Sequence, residues 1–326
     1  MERKRRPKRV CEKQPTCTLC SGFTLIELMI AVAIAGLVLT VVYATFGSQQ
    51  RTHVGQQMTV EIQQSIRAAF TLMQRDIRMA GYDATWRDEN NDGSHDFRDS
   101  DLIDNDCDGR VDAADFGRDE AGNLARFTAA GAHYLQFRLD RARNSDFCDS
   151  EDRIGFGFST TKDRNRDGVA DAGAAPLGRS VGAGGLQPLA ENFQAVAFGY
   201  AFDDDHGAAL PDGEIDTNGR NIIWAYDSDA DGLLDALLDS NADGVVDSTD
   251  DLDGNGRIDD AVLSPAVPIN RIRAIQIWLL ARTRSPLRDH LDTDTYVVGD
   301  KVLSFGDHYK RELLITVVNC RNLGLR

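Results

Sequence analysis

Six short stretches of the sequence repeat one arrangement of oxygen-bearing side chains: an Asp, an Asp or Asn two residues later, another two residues after that, then Gly, with a further Asp at the ninth position. The first uses Asp88, Asn90, Asp92 and Asp96, the second Asp104, Asp106, Asp108 and Asp112, and the third Asp163, Asn165, Asp167 and Asp171. The last three start twelve residues apart, as Asp227, Asp229, Asp231 and Asp235, then Asp239, Asn241, Asp243 and Asp247, then Asp251, Asp253, Asn255 and Asp259. Oxygens at positions 1, 3 and 5 converge only if the chain turns sharply at position 6, where Gly93, Gly109, Gly168, Gly232, Gly244 and Gly256 stand. A hard cation such as Ca²⁺, which takes six to eight oxygens at about 2.3–2.6 Å, suits such a set. Calcium is therefore the expected cofactor. No Glu occupies position 12 as in an EF-hand, although Asp99, Asp115 and Asp250 stand there in three of the loops.

Charge supports the same chemistry. Of the formal −16, residues 1–22 contribute +5, from seven Lys or Arg and two Glu, so the rest of the chain carries −21. An acidic body of that size repels phosphate backbones, which argues against a nucleic-acid partner. Residues 227–260 hold twelve acids against the single base Arg257, an array that repels itself unless cations enter it.

Two kinds of element must position these loops. Residues 23–46 form an apolar run whose only formal charge is Glu27, long enough as a helix to cross a bilayer core of about 30 Å. The basic tract before it keeps the amino terminus cytoplasmic, so the acidic body lies across the inner membrane in a single-pass topology. Beyond the run no proline interrupts the chain to residue 80, and Val60, Ile62, Ile66, Phe70, Met73 and Ile77 recur at roughly helical spacing, predicting one long helix over 23–80 that stops at Gly81. Strand-like runs begin at His133, Arg153, Gln194, Asn221, Ala274 and Glu312. The expected fold is α+β, with a long helix and then, over 81–326, an antiparallel sheet domain carrying acidic insertions at 88–120, 163–171 and 227–260.

The best cleavage point, after Gly22, precedes the apolar run rather than following it, the reverse of an ordinary secretory signal. The string "GFTLIELMIA" closely resembles the type IV prepilin signal. That resemblance implies cutting after Gly22 by a prepilin peptidase, methylation of Phe23 as the new amino terminus, and a partner for Glu27 in the amine of a neighbouring subunit. Physically, a carboxylate in a low-dielectric helix bundle needs such an opposite charge. "LMQRDIRMAGYD", "INRIRAIQIWLLARTRSP" and the closing "ELLITVVNCRNLGLR" resemble PilW-type minor pilins and the related J-type minor pseudopilins of type II secretion. The acidic loops resemble thrombospondin type 3 and dockerin repeats, most clearly over "DSDLIDNDCDGRVDAADFG".

These resemblances imply a minor pilin of a type IV pilus, with other pilins as partners through the helix and the inner membrane as its first location. Two other readings use the same residues: a calcium-dependent adhesin at a pilus tip, and a minor pseudopilin of a secretion system. An enzyme is not expected. The six histidines, at 53, 95, 133, 206, 290 and 308, have no paired metal spacing, and the chain contains no G-x-S-x-G or phosphate loop. Cys17 and Cys20 have redox spacing without a second pair nearby, and Cys107, Cys148 and Cys320 leave the disulfide pairing of the body open.

Overall fold

The computed structural model describes residues 23–82, 126–141, 149–204 and 213–321. The leader with Gly22, the first two acidic loops with Asp99 and Asp115, and Cys107 and Cys148 lie outside the described residues. The chain forms two compact units, Met1–Val54 and Gly55–Arg326, and one helix, α1 (Leu25–Arg78), belongs to both.

In the first unit α1 is apolar and exposed, with a mean hydropathy of 2.7 over its most apolar 18 residues, none of them buried. It is long and apolar enough to cross a membrane. Polar hydroxyls in this half are satisfied within the helix, as where Thr40 Oγ1 donates to the Gly36 carbonyl at 2.8 Å and Thr45 Oγ1 to Val41 at 2.9 Å.

In the second unit α1 becomes amphipathic. Ile62, Ile66, Ala69, Met73 and Ile77 are buried, three or four residues apart, on a single stripe. Val60, expected on that stripe, is 49% exposed, because two residues before Ile62 it points to another side of the helix. Ala69 takes a core place that its small size hides in a sequence pattern. The helix closes through Ala80 N–H donating to the Ile77 carbonyl at 3.0 Å, and Gly81, at φ +69°, turns so that its own N–H reaches the Arg138 carbonyl at 2.9 Å.

Five strands follow: β1 (Phe127–Ala130), β2 (Leu135–Arg138), β3 (Arg153–Gly157), β4 (Ala175–Val181) and the long β5 (Gln187–Phe202). They pair antiparallel in sequence order. A small hairpin, β6 (Thr217–Asn218) with β7 (Asn221–Ile222), leads to β8 (Ala225–Tyr226), β9 (Leu233–Leu237) and β10 (Val262–Pro268), and these three continue the sheet from β5. β11 (Ile272–Arg282) lies along β5 and along the last strand, and the hairpin β12 (Thr295–Val298) with β13 (Lys301–Ser304) precedes that last strand, β14 (Arg311–Asn319).

The core sits where β5 and β11 run side by side, since Phe193–Phe202 is buried at every residue and β11 at all but two. An alternating strand is usually wet on one face, so burial on both needs two covers. α1 provides one, tied on by Asp76 to Arg179 of β4 at 2.7 Å and by Gln63 to Glu312 of β14 at 3.4 Å. The acidic segment provides part of the other. Gly199 of β5 has no room for a side chain, because a Cβ there would stand 2.6 Å from Leu238 Cδ1, just beyond β9, and 3.1 Å from the Trp278 ring.

Arg311 anchors the end of the sheet. Its side chain is fully buried, held by Asp292 at 2.8 Å, Asp307 at 2.7 Å and Gln194 at 2.6 Å, with its guanidinium 3.8 Å from the centre of the Phe305 ring. Cys320 is a buried thiol whose pKa is pushed up to about 12 by burial.

The buried stripe of α1 should dominate domain stability. Met73→Ala, at a fully buried position, is expected to cost about 2–5 kcal/mol in denaturant unfolding of the detergent-solubilised chain. Leu28→Ala, on the exposed apolar half, should leave the sheet domain's midpoint unchanged. Equal effects would refute this division of the helix.

Candidate metal centres

Four of the six acidic loops are described, and the sheet positions each of them. Loop 163–171 joins β3 to β4 and is strapped to β5, where Val196 N–H donates to the Gly168 carbonyl and Ala170 N–H to that of Gln194, both at 2.9 Å. Loop 227–235 runs from β8 into β9, and Asp227 N–H reaches the Ala130 carbonyl of β1 at 3.1 Å. Loops 239–247 and 251–259 fill the connection from β9 to β10. The last is docked on the β12–β13 hairpin, with Ile258 N–H donating to the Asp300 carbonyl at 2.8 Å.

All four share one internal register. The position-1 carboxylate accepts the N–H groups of positions 5 and 6, with position-6 distances of 2.9 Å to Asp163, 3.0 Å to Asp227, 2.8 Å to Asp239 and 2.9 Å to Asp251. The position-5 side chain accepts the N–H of position 7 in every loop, at 2.7–2.9 Å. The backbone is left-handed at position 6 in Gly168, Gly232, Gly244 and Gly256, and also at position 4, in Arg166, Ala230, Ala242 and Gly254. Sequence reading identified the first set alone, because glycine marks position 4 in one loop of four.

This closure leaves the side chains of positions 1, 3 and 5 facing one another. Asp227, Asp229 and Asp231 bring one carboxylate oxygen each to within 4.8 Å of the others, as do Asp251, Asp253 and Asp260. Loops 163–171 and 239–247 carry Asn165 and Asn241 at position 3, where an amide oxygen replaces a carboxylate.

The closing acid varies. Asp171 and Asp235, at position 9, accept the position-2 N–H groups of Arg164 at 3.3 Å and Ser228 at 2.9 Å. In loop 239–247 it is Asp250, at position 12, that accepts from Asn241 and Asp247. In loop 251–259 Asp260 accepts from Leu252 at 2.9 Å, while Asp259 faces Arg257 at 3.3 Å. Asp260 was not among the sequence candidates. Its one sequence signal is that it adjoins Asp259.

The electrostatics favour a cation. Burial raises the pKa of Asp163, Asp227 and Asp250, backbone N–H groups lower it in part, and the like charges of Asp167, Asp231 and Asp239 add to the rise. A divalent ion among these oxygens would reverse both unfavourable effects.

At the other end of the chain, Glu27 meets a local partner. Its Oε2 accepts both the backbone N–H and the hydroxyl of Thr24, each at 2.9 Å, and Thr24 Oγ1 accepts the Glu27 N–H at 3.3 Å. This is a capping box, two groups satisfying each other's orphan donors at a helix start. The sequence signal was Thr24-Leu25-Ile26-Glu27 ahead of an apolar run. Phe23 is 88% exposed beside it.

Residues 18–43 match the family model of the prokaryotic N-terminal methylation motif. Among solved structures, a type IV-like pilin from Thermus thermophilus is similar at 13% identity, over 80% of this chain and 97% of that one, with a TM-score of 0.33. No curated protein matches the chain.

The shared register separates structure from ligation. Asp227→Ala strips the acceptor from Ala230 and Gly232 and one of two acceptors from Asp231, and should lower metal-free stability by about 1–3 kcal/mol in chelator. Asp229→Ala, at an exposed position, should change it by less than about 0.5 kcal/mol. Acid should act in a definite direction as well. Because the folded-state pKa values of Asp163, Asp227 and Asp250 are raised, ionisation of these three carboxyls costs the metal-free fold stability at neutral pH, even though they hold their loops by accepting N–H groups. That penalty is relieved as pH falls through their raised values towards the ordinary 3.8. Replacing all three by Asn should flatten this acid-side gain in thermal scans, and an unchanged profile would contradict the assignment.

Proposed function

We propose that this chain is a minor pilin subunit of the PilW type, built into a type IV pilus as a structural rather than catalytic component. The observation that carries the reading is the match of residues 18–43 to the methylation motif, with Glu27 at the fifth position after Gly22. A prepilin peptidase cuts after Gly22 and leaves Phe23 as a methylated amino terminus. The helix anchors the subunit in the inner membrane with its carboxyl terminus in the periplasm. It then leaves the bilayer by packing its exposed apolar half, Phe23 to Phe46, against the helices of other pilins.

Within this reading the four described loops are calcium sites that brace the sheet domain. Side chains that can all offer an oxygen, left-handed turns at positions 4 and 6, and carboxylates raised in pKa by burial suit a hard divalent cation. Calcium adds a positive centre to a segment whose acids outnumber its bases by twelve to one.

The capping box provides a sharp test of assembly. Gln can replace Glu in a capping box, whereas an ion pair with the neighbouring amine requires the charge. Glu27→Gln should therefore keep the folded domain and the helix start, yet abolish incorporation into sheared pili, as should Glu27→Ala. Normal incorporation of Glu27→Gln would leave Glu27 as a cap alone and overturn the assembly role.

Calcium is tested by titrating the full chain in detergent while following thermal stability and bound metal together. Binding to the folded state alone raises apparent stability by mass action, about 2.7 kcal/mol at a free concentration one hundred times the dissociation constant. The expected result is a saturable rise that Mg²⁺ does not reproduce and that weakens with acid, since the ligands must be ionised. No rise would reduce the loops to structural turns.

A further inference from the structure

Asp300 stands in the turn of the β12–β13 hairpin, outside every acidic repeat, with its side chain 1% exposed. Oδ1 lies 2.5 Å from Nε2 of His133, in the β1–β2 turn. Oδ2 makes no hydrogen bond but faces two cations, Arg257 Nη2 at 3.5 Å and Lys301 Nζ at 3.4 Å. Burial raises the pKa of this carboxyl, while the His133 bond and the charges of His133, Lys301 and Arg257 lower it and prevail. One buried carboxylate is thus compensated jointly by groups on three separate elements.

Two of those elements touch acidic loops. Arg257 is position 7 of loop 251–259, which is also stitched to the hairpin through Val302 N–H donating to the Gly256 carbonyl at 3.0 Å. The His133 ring presses on position 6 of loop 163–171. A Cβ on Gly168 would stand 2.3 Å from the ring Cδ2 and 2.6 Å from the Val196 carbonyl oxygen, so this contact has no slack. Loop 239–247 is the internal control, because it closes on Asp250, and Gly244 packs on Asn221 rather than on this cluster.

We propose that Asp300 is a positioning residue that couples loop 163–171 to loop 251–259, so that opening or filling either loop is felt at the other. The filling part rests on the calcium reading of the loops, whereas the opening part does not. When Arg257 withdraws, Oδ2 loses one of the two cations facing it, and a buried charge left short of compensation depends more heavily on what remains. Lys301 and His133 are what remain. Any shift of His133 as this balance changes is felt at Gly168, where the contact has no slack, and through it at the strap of loop 163–171 on β5. The same path runs backwards from Gly168 to Arg257, as reciprocity requires of any coupling between sites.

Hydrogen exchange read by mass spectrometry on the full chain in detergent tests this, first in chelator and then in calcium chloride. In chelator, Arg257→Gln should speed exchange at 163–171 by about fivefold or more, and His133→Gln should do the same at 251–259, with 239–247 unchanged in both. Asp300→Asn should loosen both loops, and adding either other substitution to it should bring no further increase. Effects confined to the substituted loop, or a rise that includes 239–247, would overturn the coupling. In calcium, Arg257→Gln should also weaken protection at 163–171. If calcium alters exchange nowhere in the unsubstituted chain, the metal reading fails, and the chelator comparison alone decides the coupling.

Discussion

Each described acidic loop depends on one carboxylate accepting the N–H groups four and five residues further on. A left-handed backbone costs a residue with a side chain roughly 1–2 kcal/mol, and Arg166, Ala230 and Ala242 all adopt it at position 4. The position-1 bonds offset that cost by giving the turn a fixed acceptor at its centre. The consequence reaches beyond the loops. Loop 227–235 delivers the chain from β8 to β9, and β9 delivers Leu238 to the face of Gly199 and Trp278. Acidic segments that look like solvent-exposed spacers are therefore part of how the sheet's second face is covered.

Placing acids in that role has an electrostatic cost that the structure distributes. Asp163 and Asp227 are nearly buried, at 4% and 5% exposure, and each answers burial with backbone N–H groups rather than with a basic side chain. Elsewhere the chain uses arginine instead. Arg311 compensates Asp292 and Asp307 outright, and Asp292 also accepts from the Tyr296 hydroxyl. The contrast is chemically meaningful, because a carboxylate paired with arginine is finished, whereas one capped by N–H groups keeps acceptor capacity and net charge. The loops have the second arrangement throughout, apart from exposed pairs at their edges.

Features of the fold that repeat locally along the chain were legible in the sequence. The helix, the strands at His133, Arg153, Gln194, Ala274 and Glu312, and the loop repeats each declare themselves over a short window. The strand Ala175–Val181 did not, since Pro176 and Gly178 lower its strand character, and Gly178 is there because a Cβ would stand 2.7 Å from Leu186. The left-handed position 4 was invisible in three loops of four, where an ordinary residue bears the strain. Asp260 outcompetes its neighbour through register, not type. His133 and Asp300, 167 residues apart, carry no local pattern, because their meeting is a property of the folded sheet. Pattern reading finds residues that repeat, and misses those that meet once.

Glu27 shows how a local bond can leave room for the intermolecular one proposed for the same side chain. Both bonds from Thr24 fall on Oε2, and among the described residues Oε1 has no partner. The cap therefore fixes the carboxylate while leaving one oxygen free to accept from outside the helix. A rigid acceptor loses less side-chain entropy on pairing than a free one. It would also keep the helix start intact until the proposed pair forms, when apolar surroundings leave an acid least able to stand alone. On this geometry the cap is compatible with the proposed ion pair, because the threonine three positions before Glu27 engages one carboxylate oxygen alone.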